Sequence, residues 1–206
     1  MKKGFTLLEL LIVIGILAIL ATAAVLVLNP AELLRQARDS TRIADIAGIN
    51  SALGLYITDA TTIDLDGSAV VGTTPIQGAG ERFVCAANKW TTYAAGFAAT
   101  TSIGDLFVTD GASTSLRTTG GLGWIPVNFD GLSVGSPLPT LPIDPSSTAD
   151  RNYSYGCIET ATVLTYELNA RLESVKFTTG SDPKQTNDGG DNVNFFEAGT
   201  DPGLDL

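Results

Sequence analysis

The sequence predicts an α+β fold, in which one long N-terminal helix packs against an antiparallel sheet of about four strands joined by irregular loops. The helix is predicted from an almost unbroken apolar run over residues 5–28 and from the apolar positions of residues 29–57, which recur every three or four residues. Beyond residue 57 the pattern changes to short alternating segments separated by Gly, Pro, Asp and Thr, which is typical of strands and turns.

The apolar run over residues 5–28 is long enough to cross a bilayer, since about 20 apolar residues suffice. One charged residue, Glu9, lies inside it. A carboxylate at membrane depth is costly and is therefore expected to have a purpose or a partner. Lys2, Lys3 and Gly4 precede the run as a short basic leader that ends in a small residue. Glu9 is the first candidate for a functional residue.

The leader is followed by the motif Gly4-Phe5-Thr6-Leu7-Leu8-Glu9. This motif resembles the prepilin signal of type IV pilins and of the pseudopilins of type II secretion systems. The resemblance implies a pilin-like fold, cleavage by a prepilin peptidase between Gly4 and Phe5, and N-methylation of Phe5. It also implies that Glu9 pairs with the methylated but still cationic amine of Phe5 in a neighbouring subunit, which sets the register between helices.

Two other interpretations of the N-terminus stay open. The segment Ala21-Thr22-Ala23 resembles the small-x-small cleavage site of an ordinary secretory signal peptide. The run is also compatible with a plain single-pass anchor that has no assembly role. The position of Glu9 favours assembly over both, because a buried carboxylate is best relieved by an opposite charge.

The resemblance also predicts domains, location and partners. The domains are a leader (1–4), a membrane-spanning and filament-core helix (5–28), its amphipathic continuation (29–57), and an exported β-rich head with an acidic C-terminal tail (58–206). The basic leader should stay cytoplasmic, although three arginines beyond the run argue for the opposite orientation. The protein is thus expected in the inner membrane with its head outside, and then in an extracellular or periplasmic filament. Expected partners are copies of itself, the prepilin peptidase, the inner-membrane assembly machinery, and the membrane before assembly.

The helix is expected to continue past the apolar run. Asn29 suits an N-cap and Pro30 the first position of a second helix, while the alternative is one long helix that Pro30 kinks. Either arrangement gives about 50 helical residues, on the order of 80 Å.

The second half of this helix carries two stripes. An apolar stripe, expected to pack on the sheet of the same chain, contains Ile46, Ile49, Leu53 and Tyr56. A polar stripe lies beside it and is interpreted either as a solvated face or as a source of salt bridges between subunits. It contains Arg35, Arg38, Arg42 and Asp45.

Strands are predicted at residues 82–86, 90–97, 124–129, 153–158 and 163–172. The last is the clearest, because apolar and polar side chains alternate along it, although a helix over residues 166–174 is a competing interpretation. A stiff turn, Leu141-Pro142-Ile143-Asp144-Pro145, precedes the Tyr-rich strand. A Leu-Pro-x-Asp-Pro segment in this place resembles one in major pseudopilins.

Composition excludes several classes of function. The formal net charge of −10 argues against a nucleic-acid-binding surface, which would need Lys and Arg to displace counterions from phosphates. The absence of histidine removes the commonest general base and metal ligand. The sequence also has no Ser–His pair, nucleophile elbow, phosphate loop or zinc spacing. No enzymatic function is therefore predicted.

Cys85 and Cys157 are the only two cysteines. In an exported domain they are expected to pair, and only one connectivity exists. The closed loop of about 72 residues would contribute roughly 4 kcal/mol to stability in the chain-entropy model. The alternative is two separate buried thiols.

The acidic tail is the one region with metal-ligand chemistry. Carboxylates and amides surround two glycines, and Ca²⁺ prefers six to eight oxygen ligands on a bendable loop. The spacing does not match an EF-hand, but major pseudopilins carry a C-terminal calcium site, so the resemblance favours calcium. The alternative is a solvated acidic loop, and no other cofactor is expected. The candidate ligands are Asp182, Asn187, Asp188 and Asp191, with Asp201 a weaker one.

These observations predict a structural prepilin subunit of a type IV pilus or pilus-like filament. The alternatives are a major-type pseudopilin of a type II secretion-like system and a minor tip pilin. A tip pilin would use loops such as residues 111–123 to bind a surface or ligand.

Overall fold

The computed structural model describes residues 4–65, 92–93, 117–146, 151–159 and 164–200. It begins with two consecutive helices, α1 (Leu7–Leu28) and α2 (Pro30–Asp59). The long N-terminal helix predicted from the sequence is therefore present, with one non-helical residue between its two halves.

Asn29 separates the two helices in a left-handed conformation, with φ 40° and ψ 72°. Pro30 takes the first position of α2, where its missing N–H costs nothing because the first N–H groups of a helix lack an intrahelical partner. The side chain of Asn29 makes no capping hydrogen bond; its carbonyl accepts from the N–H of Glu32 at 2.9 Å and of Leu33 at 3.3 Å. The predictions that Asn29 is the N-cap residue and that Pro30 takes the first position of a second helix are confirmed.

The apolar stripe of α2 faces the core of the head. Ile46, Ile49 and Leu53 are completely buried, and Tyr56 packs edge-on against Phe129 with ring centroids 6.0 Å apart. The predicted packing of this stripe on the rest of the same chain is confirmed.

In the described residues the sheet has four antiparallel strands in the order β1 (Thr92–Tyr93), β2 (Tyr153–Glu159), β3 (Leu164–Ala170) and β4 (Phe196–Gly199). Leu168, in the middle of β3, stands opposite Tyr155 on β2 and Ala198 on β4. The α+β architecture predicted from the sequence is thus confirmed.

Strand β3 alternates as predicted. Tyr166, Leu168 and Ala170 belong to the core beside α2, while Glu167 and Asn169 lie on the other face of the sheet and are also buried. The competing helix over residues 166–174 is wrong, because β2 and β4 pair with both edges of this segment. A single helical turn, α3 (Val175–Thr178), follows it.

Two strand predictions differ from the structure. Residues 124–129 form no strand, and the local pairing is a single bridge between Gly120 and Asn128. Pro126 interrupts this segment and has no N–H to donate to a ladder, although Trp124 and Phe129 are still buried in the core. Strand β4 was not predicted. Residues 82–86, and all of the predicted strand 90–97 except Thr92–Tyr93, lie outside the described residues.

Candidate functional site

The N-terminus of α1 is closed by a reciprocal pair of hydrogen bonds between Thr6 and Glu9. Thr6 is the N-cap residue, and its hydroxyl accepts from the N–H of Glu9 at 3.2 Å. The Glu9 carboxylate accepts from the Thr6 N–H at 2.9 Å and from the Thr6 hydroxyl at 2.8 Å. This capping box gives the acid a partner in its own chain. The capping box was not predicted from the sequence, although Thr-x-x-Glu before an apolar run is the recognised signal of a capping box.

Helix α1 is not packed against the other described residues. None of the segment Leu7–Val25 is buried, and the side chain of Leu7 is 81% exposed. Among the described residues, this is the one helix that is long and apolar enough to cross a membrane. A helix that is apolar all round needs lipid or other apolar helices around it.

Gly4 and Phe5 lie just before α1, outside regular structure, and both are exposed. No side chain or neighbouring backbone crowds Gly4. The bond between them is accessible to a peptidase in this conformation. Cleavage and N-methylation themselves stay predictions.

Comparison with known families agrees with this N-terminal geometry. Residues 1–25 match the model of the prokaryotic N-terminal methylation motif. The chain carries the prepilin-type signal of type IV pilins and pseudopilins. This signal indicates a structural pilin-type protein that is processed by a prepilin peptidase, and together with α1 it fits a membrane-anchored protein. No curated protein and no solved structure matches the chain.

A second polar site lies where α2 meets the head, and Arg42 is at its centre. The side chain of Arg42 is completely buried. Its Nε and Nη2 donate to the two carboxylate oxygens of Asp144 at 2.6 and 2.9 Å, and its Nη1 donates to Asp39 at 2.7 Å and to Glu173 at 2.9 Å. Nη2 also reaches Ser146 at 2.7 Å. We call Arg42, Asp39, Asp144 and Glu173 the helix–head clamp.

Two acids of the clamp, Asp144 and Glu173, have lowered pKa values. Burial by itself would raise the pKa of Asp144, but hydrogen bonds from Arg42 and Ser146 outweigh it, and the pKa is lowered. A hydrogen bond from Arg38, with a further contribution from Arg42, lowers the pKa of Glu173 to about 2. Both acids are therefore ionised at neutral pH, which the buried guanidinium requires.

Acids on α2 also hold the backbone that follows β3. Asp39 accepts from the N–H groups of Glu173 at 3.1 Å and Ser174 at 2.7 Å. Glu32 accepts from the N–H of Val175 at 2.7 Å. Both interpretations of the predicted polar stripe are therefore wrong for Arg42, which is neither solvated nor available to another subunit. The Asp144 of the Leu-Pro-x-Asp-Pro segment gains a structural role that the sequence did not reveal.

Tyrosines of the sheet extend this attachment along α2. The Tyr153 hydroxyl donates to Asp45 at 2.7 Å, and the Tyr166 hydroxyl donates to the Asn50 side chain at 2.6 Å. Burial raises the pKa of Asp45, and it raises the pKa of Tyr166 to about 12. Asp45, predicted as part of the polar stripe, therefore binds Tyr153 of its own chain.

Cys157 lies on β2 and is 2% exposed, with its Sγ 3.8 Å from the Leu65 carbonyl oxygen. Cys85 lies outside the described residues. Their pairing stays a prediction.

Two of the predicted calcium ligands, Asp182 and Asp188, make other contacts in the tail. Asp182 pairs with Lys184 at 3.0 Å, and Asp188 accepts from the N–H groups of Gly190 at 3.1 Å and Glu197 at 2.8 Å. Asn187 and Asp191 are exposed. In the part of the chain that the structure describes, no three acidic or cysteine side chains have metal-binding geometry. Asp201 lies outside that part, and calcium binding stays a prediction.

The sequence analysis also missed a buried carboxyl pair on the far face of the sheet. Glu167 on β3 and Glu197 on β4 are 2% and 3% exposed, and their carboxyl groups are hydrogen-bonded. Burial raises the pKa of Glu197 to about 7, and the charges of Asp188 and Asp191 act in the same direction. Gly190 lies against the Glu197 carboxylate, where a Cβ would overlap it. Strand alternation alone would have placed both acids in solvent.

Proposed function

We propose that this chain is a structural subunit of a type IV pilus or pilus-like filament. In this proposal the leader is cleaved between Gly4 and Phe5, Phe5 is N-methylated, and subunits assemble through their N-terminal helices. The observation that carries the proposal is the prepilin-type signal at the start of an apolar helix that stays exposed over Leu7–Val25.

The exposed helix α1 then has two successive environments. Before assembly, lipid covers its apolar surface. After extraction, the same surface packs against α1 of other subunits, and head-to-tail packing of identical subunits gives an open filament. An amphipathic helix would suit only one of these environments, whereas α1 is apolar on all sides.

The capping box supplies a resting state for the assembly acid. In a single chain the Glu9 carboxylate is bound by the Thr6 N–H and hydroxyl, so the membrane-inserted monomer does not carry an unpartnered charge. Cleavage creates a cationic amine at Phe5, and the Phe5 amine of a neighbouring subunit is a stronger partner than a hydroxyl. Assembly thus exchanges a hydrogen bond within the chain for a charge pair between chains.

A major-type pseudopilin is the main alternative, and the Leu-Pro-x-Asp-Pro segment favours it. Because Asp144 of this segment belongs to the helix–head clamp, its presence is explained by folding in either kind of subunit.

Immunogold labelling separates a major subunit, labelled along the filament, from a tip pilin, labelled only at filament ends.

The intact mass of the membrane-extracted protein tests the proposal. We expect the mass of residues 5–206 with one added methyl group, located on Phe5 by fragmentation. Retention of Met1 to Gly4 in cells with an active prepilin peptidase, or cleavage after Ala23, would overturn the proposal.

A further inference from the structure

Charge is distributed unevenly where the chain leaves α1. Residues 30–42 and 171–178 together contain five basic and three acidic residues, in a chain whose formal net charge is −10. The acids of these two segments are Glu32, Asp39 and Glu173. The local excess is therefore positive.

The folded structure buries the three acids together with Arg42, and it leaves Arg35 and Arg38 more accessible. The side chains of Asp39, Glu173 and Glu32 are 0%, 7% and 15% exposed, because they bind Arg38, Arg42 and the backbone N–H groups after β3. In contrast, the side chains of Arg35 and Arg38 are 49% and 36% exposed. The accessible charge at this end of α2 is thus more positive than the sequence indicates.

Tertiary structure adds a lysine to the two exposed arginines. The N–H of Lys176 donates to Glu32 at 3.4 Å, and Nη1 of Arg35 lies 3.7 Å from the same carboxylate. Lys176 is exposed, and its ammonium lies 4.6 Å from the centroid of the Phe177 ring. Lys176 and Arg35 are 141 positions apart in sequence but flank one side chain in the fold.

The height of this group matches the surface of a bilayer that α1 crosses. The 22 residues of α1 span about 33 Å, close to the thickness of a hydrocarbon core. Arg35 follows Leu28 by seven positions, which is at most about 10 Å of helix. Long basic side chains at that height reach the headgroup layer.

We propose that Arg35, Arg38 and Lys176 form a basic collar that binds anionic phospholipid headgroups in the leaflet where α1 ends. The collar holds the head against the bilayer before assembly, and extraction must break these contacts. The proposal rests on the membrane-anchored stage of the proposed function and requires no filament. Its failure is therefore distinguishable from failure of filament assembly.

Hydrogen exchange of the full chain in lipid nanodiscs tests the collar. Nanodiscs of phosphatidylcholine are compared with nanodiscs that also contain phosphatidylglycerol, and exchange is read in residues 30–38 and 171–180. Each basic residue at an anionic surface should slow local exchange roughly fivefold. We expect slower exchange with phosphatidylglycerol, and its loss at high salt or in the double variant Arg35→Gln/Lys176→Gln. Lys184→Gln removes a partly exposed lysine outside the collar and should behave as wild type.

Equal exchange in the two lipids would overturn the proposal, as would lipid-dependent protection that survives in the double variant. Protection that grows with the number of protein copies per nanodisc, without phosphatidylglycerol, would assign the surface to a second subunit instead. Inorganic phosphate added to phosphatidylcholine nanodiscs should give no protection, and protection there would show that soluble anions account for the effect.

Discussion

Helices α1 and α2 follow one another with a single residue between them, yet they satisfy their acids in different ways. In α1 the partner of Glu9 is Thr6, one turn away in sequence. In α2 the partner of Asp39 is Arg42, together with backbone groups 134 and 135 positions further along the chain. The first arrangement is local and can be exchanged for another partner, whereas the second is made only when the whole head has folded.

One long helical segment can therefore serve two purposes. The α1 half must leave a lipid environment and enter another, so its polar contacts have to be replaceable. The α2 half must carry the head through that transfer, so its polar contacts are buried and charged. Variants in each half can show whether a polar contact is replaceable, as proposed for α1, or fixed by folding of the head, as proposed for α2.

Removing the charge of Glu9 should abolish filaments while leaving α1 intact. Glu9→Gln keeps an acceptor oxygen for the Thr6 N–H and hydroxyl but offers no charge to the Phe5 amine of a neighbour. We expect normal membrane insertion and a loss of filaments in electron micrographs. Thr22→Val is the matched control, because the Thr22 hydroxyl bonds only to Ala18 one turn earlier. Normal filaments from Glu9→Gln would refute the charge pair.

Truncating Arg42 should unfold the head far more readily than truncating its exposed neighbour. Arg42→Ala leaves Asp39 and Asp144 buried without their cation, a change that typically costs 3–5 kcal/mol (about that much here as well). Arg35→Ala should change stability by less than about 0.5 kcal/mol. Urea unfolding of the full chain in detergent, followed by tryptophan fluorescence, measures both. Similar costs for the two variants would show that the helix–head clamp does not stabilise the head.

Two buried acids of the head should respond to pH with opposite signs. Glu173 has a lowered pKa of about 2, so its contribution is present above about pH 4.5 and is lost as the pH falls toward 2. Glu197 has a raised pKa of about 7, so its protonated form stabilises the fold below about pH 4.5. That contribution is lost as the pH rises toward 7.

Glu197→Gln should remove the loss of stability between pH 4.5 and 7, which amounts to roughly 3 kcal/mol at most. The free energy of unfolding as a function of pH, for wild type and variant, is the measurement. Asp182→Asn, an exposed acid of the same tail, serves as the control. A wild-type slope that persists unchanged in Glu197→Gln would contradict the assignment.

The smallest effect is expected from the local cap itself. Thr6→Val removes the hydroxyl that bonds Glu9, so amide exchange in the first turn of α1 should accelerate roughly fivefold. Thr6→Ser keeps the hydroxyl and should retain wild-type exchange. If Thr6→Val also exchanges as wild type, the capping box does not hold Glu9 in the single chain.

Local features of the chain were predictable because they depend on neighbours in sequence. Residues 5–57 carry their helical period in the residue order, and the alternation of β3 was visible for the same reason. Pro30, which has no N–H, was compatible with a break at Asn29 or with one kinked helix, and the structure shows the break. The prediction for residues 124–129 failed because apolar side chains were counted without the limit that Pro126 places on pairing. Strand β4 escaped notice because acidic and glycine residues surround it.

The candidate sites also differ in whether they are formed by residues that are close or distant in sequence. The motif from Gly4 to Glu9 is contiguous, so the sequence was sufficient to find it. The helix–head clamp joins Arg42 to Asp144 across 102 positions, and Arg42 looks like any surface arginine of an amphipathic helix until its partners are known. The pair of Glu167 and Glu197 could not be predicted from the sequence either, because its burial depends on which residues cover the far face of the sheet.

Residue order was enough to predict a prepilin-type signal, an apolar helix with one acid, and an α+β head. These properties arise from composition, period and short motifs, which are independent of distant contacts. Which charges are used within the chain and which remain accessible depends instead on the folded head. Burial and pairing depend on residues far apart in sequence, so the same arginine side chain is a buried anchor at position 42 and an exposed cation at position 35.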